Sequence, residues 1–225
     1  MSTPIKLIIF DLDGTLIDSL TDLALSTNHS LALHGLSEHP VEQYKQFVGN
    51  GLDKLIERAL PPNRRDTETR KQVKNDFLNH YTVHLNDHTQ PYPGITELLD
   101  ELKARSVQLA VATNKPQEAA RCIVKEKMGS TPFISVLGQT PERAVKPNPK
   151  IVFEIMAIAN VQPAETLYIG DSGVDMQTAC NSGVKGIGCK WGFRSERELI
   201  ENGASSLIAH PSEILDYLNP SSSFH

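Results

Sequence analysis

This sequence has no apolar run long enough to cross a bilayer, no cysteine pair at the spacing used for metal or redox chemistry, and no surplus of positive charge. Each absence excludes something. A bilayer span needs about 20 consecutive apolar residues, and the run Leu7 to Phe10 stops at Asp11. The opening stretch Met1-Ser2-Thr3-Pro4-Ile5-Lys6 lacks the layout of a signal peptide. A cytoplasmic protein with no membrane partner is therefore expected. The three cysteines, Cys122, Cys180 and Cys189, are an odd number set far apart. Reduced, partly buried thiols are expected, not bridges or a catalytic thiolate. Net charge is −5, and the one short basic cluster, Arg64-Arg65 beside Pro61-Pro62, reads as a solvated loop. Nucleic acid is not an expected partner.

What is present suffices for one or two domains: 225 residues, 39% of them apolar. Leu7 to Phe10 suits a buried strand. From residue 16 to about 87 the pattern is helical, with faces such as Leu16, Leu20, Leu23 and Leu31, then Leu52, Leu55 and Ile56, then Val73, Phe77 and Tyr81. Pro91-Tyr92-Pro93-Gly94 breaks the chain. Beyond it helices (95–105, 116–128, 149–160, 174–182, 195–202, 211–218) alternate with strands (107–112, 133–137, 166–169, 184–189, 206–209). The tail Pro220 to His225 is expected to fray. Such alternation predicts an α/β fold, a Rossmann-like parallel sheet covered by helices on both faces. The core would comprise residues 1–15 and 91–225, with an all-helical cap domain, 16–90, inserted after the first strand. Ligands of such sheets bind at the carboxyl ends of strands, here after Phe10, Ala112, Leu137 and Ile169.

Those ends carry the chemistry. The first strand runs into Asp11-Leu12-Asp13-Gly14-Thr15. Two acids there suit a reaction in which one carboxylate attacks an electrophile and the other moves a proton. The strand ending at Ile169 runs into Gly170-Asp171-Ser172-Gly173-Val174-Asp175. Four clustered acids would repel and raise one another's pKa values, and a hard divalent cation, Mg²⁺ above all, removes that conflict. Thr113-Asn114 at a strand end, and Lys146 before Pro147 and a helix, suit phosphate oxygens. An N-cap and a surface lysine are the plain alternatives for these two when taken singly.

Taken in order, Asp11-x-Asp13-Gly14-Thr15, Thr113, Lys146-Pro147 and Gly170-Asp171 with Asp175 resemble the four-motif signature of the haloacid dehalogenase superfamily. Within it the chain looks like the phosphoglycolate phosphatases. The matching text includes Phe10 to Leu25, Val48 to Leu60, Gln90 to Gly94, Leu109 to Pro116 and Gly170 to Phe193. The resemblance implies a Mg²⁺-dependent phosphatase of a small phosphorylated metabolite, 2-phosphoglycolate first. Asp11 would form an aspartyl-phosphate, and Asp13 would act as general acid and base. Asp11, the Asp13 backbone carbonyl and Asp171 would hold Mg²⁺, with Asp175 orienting water or Lys146. Thr15, Thr113, Asn114 and Lys146 would bind the phosphoryl group.

The cap would select the substrate, with Gly49-Asn50-Gly51 offering N–H groups to a small carboxylate and Lys45 and Lys54 adding charge. Hinges are expected near Leu16–Ser19 and Thr89–Pro93. Asp13 argues against a dehalogenase or a phosphonatase, which lack an acid there. One departure is Gly138-Gln139-Thr140, where these phosphatases usually carry Gly-Gly-Asp. The alternatives are a sugar phosphomutase, a broad-range phosphatase of sugar phosphates, nucleotides or pyrophosphate, and a non-catalytic phospho-receiver. Either a monomer or a homodimer fits.

Overall fold

Leu7–Phe10 (β1) consists of four residues with no exposed side chain, and the molecule is arranged around it. In the computed structural model, which describes residues 3–218, β1 lies between β4 (Gln108–Pro116) and β6 (Thr166–Gly170). The expected fraying of Pro220 to His225 falls outside the described residues. Outward from this centre lie β5 (Phe133–Gln139) on one side, and β7 (Lys185–Cys189) then β8 (Ser206–Ile208) on the other. All five pairings in this sheet are parallel.

The register matters for function. Phe10 pairs with Val111 on one side and Ile169 on the other; β1 stops there, β6 stops one residue on at Gly170, and β4 continues to Pro116. Asp11 and Asp171, which follow β1 and β6, and Thr113, in the extended end of β4, are brought to one edge.

Alternation along β1 divides the core. Ile8 and Phe10 pack toward α5 (Ile95–Ala104) and α6 (Gln117–Met128), with Leu98, Leu102 and Ile123. Leu7 and Ile9 pack on the opposite face toward α7 (Lys150–Ala159) and α8 (Gly173–Ser182), with Ile151, Ile155 and Ala179. A strand buried on both faces is apolar at every position, which is why Leu-Ile-Ile-Phe shows no polar alternation. Helix α9 spans Glu196–Glu201. The last helical segment, Pro211–Leu218, is a 3₁₀ helix, not the α-helix that its apolar spacing predicts.

Between β1 and the rest of the sheet the chain forms α1 (Leu20–Leu33), α2 (Tyr44–Phe47), α3 (Leu52–Ala59) and α4 (Thr67–His84). This stretch is not strand-free, as its sequence suggested. Ile17–Asp18 (β2) pairs antiparallel with Gln90–Pro91 (β3) where the chain leaves and re-enters the sheet layer. Two-residue strands are too short to leave a periodic signal. Cys189 is buried as expected, but Cys122 and Cys180 are exposed, lying on the outer faces of α6 and α8. Among the described residues no helix is long and apolar enough to cross a membrane.

One buried carboxylate closes the inserted segment. Asp22 in α1 accepts hydrogen bonds from the backbone N–H groups of His88 and Thr89, from the Thr89 hydroxyl and from the His88 ring, all at 2.7–3.0 Å. Burial opposes its charge, but these donors hold its pKa below the ordinary carboxylate value. A group whose pKa is depressed on folding contributes stability above its unfolded value and loses it in acid. Asp22→Ala is therefore expected to lower unfolding free energy at pH 7 by about 3 kcal/mol, from stranded buried donors. Urea denaturation of wild type and variant should show that gap narrowing below about pH 4. An equal gap at pH 7 and pH 3 would contradict this account.

Candidate active site

The acids meet over the carboxyl edge of β1 and β6. Asp11 leaves β1 with its N–H bonded to Ile169 O of β6. Asp171 follows β6, and Asp175 stands in the first turn of α8. There Ser172 and Asp175 form a reciprocal capping box, the Asp175 carboxylate accepting from the Ser172 N–H and hydroxyl. Oxygens of Asp11, Asp171 and Asp175 lie within 4.8 Å of one another, and all three residues are buried.

Glycine permits this crowding. A Cβ at Gly170 would lie 2.3 Å from Asp175 Cβ, and one at Gly192 would lie 2.2 Å from Asp171 Cβ. The Asp171 carboxylate accepts from the Thr15 hydroxyl at 3.2 Å and the Phe193 N–H at 2.8 Å.

Lys146 answers part of this negative charge. Its buried ammonium donates to Asp175 Oδ1 at 2.7 Å, to Ala112 O at 3.0 Å and to Tyr168 Oη at 3.2 Å. It also lies 2.8 Å from Asp11 Oδ1 as an ion pair. That contact lacks hydrogen-bond alignment, so Asp11 Oδ1 accepts no hydrogen bond although it is buried. Burial works against the ammonium, yet Asp11 and Asp175 hold it well above the ordinary lysine value. Burial first, then Asp175, pushes Asp11 up to about 7, with Lys146 acting against them. Burial, Asp175 and Asp11 together raise Asp171 well above the carboxylate range.

Asn114 fixes the loop that carries the lysine. Its side chain accepts from Lys146 N–H at 2.8 Å and donates to Lys146 O at 3.2 Å and Gly49 O at 3.1 Å. It thereby ties the lysine loop to the inserted helices. Thr113 and Asn114 line a cavity of about 50 Å³ with Asp11, Asp13, Gly49 and Gly51.

A haloacid dehalogenase-like hydrolase family model matches residues 8–189. A phosphoglycolate phosphatase of Mannheimia succiniciproducens is 35% identical over 199 residues, covering 86% of this chain and 89% of its own. One from Mesorhizobium japonicum is 35% identical over 213 residues, covering 93% and 92%. The chain belongs to the haloacid dehalogenase-like hydrolase family. A crystal structure of a relative from Lactobacillus delbrueckii subsp. bulgaricus superposes with a TM-score of 0.91 at 30% identity, covering 97% of this chain and all of that one.

Within this hydrolase, several residues stand away from the positions that their sequence context suggested. The Asn50 side-chain Oδ1 accepts from Arg58, and the cavity is lined by its neighbours Gly49 and Gly51. Lys45 and Lys54 do not line that cavity; they pair with Glu42 and Glu57 on the surface. Thr15 directs its hydroxyl to Asp171. Gln139 comes close to Gly51, at the edge of the helical insertion.

Two residues escaped the sequence reading. Lys115 is buried, donates to both Asp13 oxygens at 2.9 and 3.2 Å, and lies 4.9 Å over the Tyr81 ring. Ser19 also donates to Asp13, at 2.5 Å. Burial opposes the Lys115 ammonium, but Asp13 and Tyr81 raise it above the usual lysine value. The available signal was spacing: Thr113 and Lys115 are two apart on β4, which turns both toward one face. In sequence, Tyr81 belongs only to the apolar helix face of Val73 and Phe77.

The donor set fits a hard divalent cation. It is all oxygen, it is acidic, and it includes a buried Asp11 oxygen with no hydrogen bond. Without a cation, folded Asp11 keeps a proton between about pH 4 and 7 that the unfolded chain has released. Metal-free stability should fall as pH rises through that window. Melting with a chelator should show Tm dropping from pH 5 to 7.5. Millimolar Mg²⁺ should raise Tm, and more so at pH 7.5 than at pH 5. Equal melting with and without Mg²⁺ at both values would eliminate the cation site.

Proposed function

We propose that this chain is a phosphatase of small phosphate monoesters, with 2-phosphoglycolate as its foremost candidate substrate and Mg²⁺ as its metal. The observation that carries the reading is Asp11. Its Oδ1 is buried, free of hydrogen bonds and held beside the Lys146 ammonium, with a second acid, Asp13, two residues on. The curated relatives named phosphoglycolate phosphatase support the substrate class.

In this reading Asp11 attacks phosphorus in line, the P–O bond to the alcohol breaks, and Asp13 gives a proton to the departing oxygen. Asp13 then takes a proton from the water that cleaves the aspartyl-phosphate, so orthophosphate leaves and Asp11 is regenerated. Lys146 and Thr113 hold the phosphoryl oxygens, and Asp175 keeps Lys146 in place. Asn114, placed by the sequence among the phosphoryl ligands, instead clamps the lysine loop. Asp11, the Asp13 carbonyl and Asp171 would hold Mg²⁺, which supplies neutralising charge against the phosphoryl oxygens. Residues 16–90 serve as a cap on a core of 1–15 and 91–225. The paired β2 and β3 form the natural hinge, and closure keeps stray water from the acyl-phosphate.

Phosphate release from a panel of 2-phosphoglycolate, sugar phosphates, nucleotides and pyrophosphate tests this. Asp11→Asn should lose all measurable turnover and Asp13→Asn roughly 10²- to 10⁴-fold in kcat. Mass spectrometry of quenched wild type should find a phosphoryl adduct on the Asp11 peptide. Full activity of Asp11→Asn would end the reading.

A further inference from the structure

The cavity beside Asp13 contains two polar groups that the phosphoryl chemistry leaves idle. One is the Lys115 ammonium, with only 2% of its side chain exposed. The other is the Tyr81 hydroxyl, which is buried beside Lys115 and finds no acceptor for its own proton among the described residues. Both residues line the cavity, and its other walls are largely apolar, including Leu23, Leu52, Leu55 and Phe77.

Resting on the phosphatase reading, we propose that Lys115 and Tyr81 form the subsite for a second anionic group of the substrate, a carboxylate in the smallest case, and that this group draws Lys115 away from Asp13.

Three observations support this. A buried ammonium is costly, and a Lys–Asp pair adds less to stability than an apolar pair of the same volume would. A buried hydroxyl whose proton has no acceptor is costly too. One ligand resolves the second cost and uses the first: an acceptor that carries negative charge. A neutral hydroxyl would satisfy Tyr81 and leave the ammonium unanswered. The cavity is narrow, with apolar walls around these two polar groups, which suits a compact carboxylate. Lys115 comes from β4 and Tyr81 from α4 of the inserted helices, so one small anion bridges the two.

The partner exchange gives specificity a particular form. In this structure Lys115 binds both oxygens of Asp13, the acid placed to serve the leaving oxygen. A substrate carboxylate competes for the same ammonium. When it succeeds, Asp13 is held by Ser19 alone and is free to turn toward the scissile bond. A substrate with no second anion leaves Asp13 engaged, so discrimination appears in kcat as well as KM.

The test pairs 2-phosphoglycolate with 2-hydroxyethyl phosphate, which replaces the carboxylate by a neutral group of similar size. Wild type with Mg²⁺ should favour the acid by roughly 100-fold in kcat/KM, with part of the difference in kcat. Lys115→Met, which keeps the apolar stem, should bring the two esters within about fivefold of each other and raise kcat for the neutral ester. Tyr81→Phe should lower the preference roughly tenfold. Wild type that hydrolyses both esters equally well overturns the subsite. So does a Lys115→Met protein that loses both activities in proportion and melts lower, the behaviour of a purely structural pair. If wild type hydrolyses no phosphate monoester at all, p-nitrophenyl phosphate included, the phosphatase reading itself falls and the subsite with it.

Discussion

The contact on which the rest depends is the Lys146 ammonium wedged between Asp11 and Asp175. Three buried carboxylates in one small volume would not stay ionised without compensation. Lys146 compensates from the loop after β5, a part of the chain that reaches this edge only because Asn114 grips both its N–H and its carbonyl. Tyr168 is held within the same network through Ala112 O and Asp175. The register that sets Phe10 beside Val111 and Ile169 is what lets a single lysine touch groups from three strands.

Counting charges around this edge explains why two lysines are still not enough. Asp11, Asp13, Asp171 and Asp175 supply four carboxylates, and Lys115 and Lys146 supply two ammoniums. If all were ionised, two negative charges would remain in a water-poor site. Burial first, and then this crowding of carboxylates, raises Asp11 and Asp171. A divalent cation has the matching charge and prefers the oxygens on offer. The same imbalance disfavours a bare phosphate dianion at this edge, so cation and phosphoryl group belong together.

Much of this was legible in the sequence because the signals were dense. An apolar strand that ends in two acids has few uses, and the alternation beyond residue 94 predicts the parallel sheet directly. Lys115 was hidden because a lysine beside a strand end usually lies on the surface. Its role depends on Tyr81, 34 positions earlier, folding over it, a long-range contact that no local pattern encodes. Asn50 misled for the opposite reason: its glycine neighbours mark a turn at the cavity, while its own side chain is captured by Arg58 in the last turn of α3. The two-residue ribbon of β2 and β3 was too short to register.

The division of labour in the molecule follows from these placements. The Lys146 ammonium is surrounded by groups from the sheet edge, Asp11, Ala112, Tyr168 and Asp175, and its loop meets the insertion through the Asn114 bond to Gly49 O. Lys115 stands under Tyr81 of α4 and shares the cavity with Gly49, Gly51 and Leu55, so its surroundings change whenever the helices move. The first lysine suits a task common to every substrate of such a site, neutralising the phosphoryl group. The second suits a task that differs between substrates. A cation on the strand edge and a conditional one beneath the insertion separate chemistry from choice without any further element.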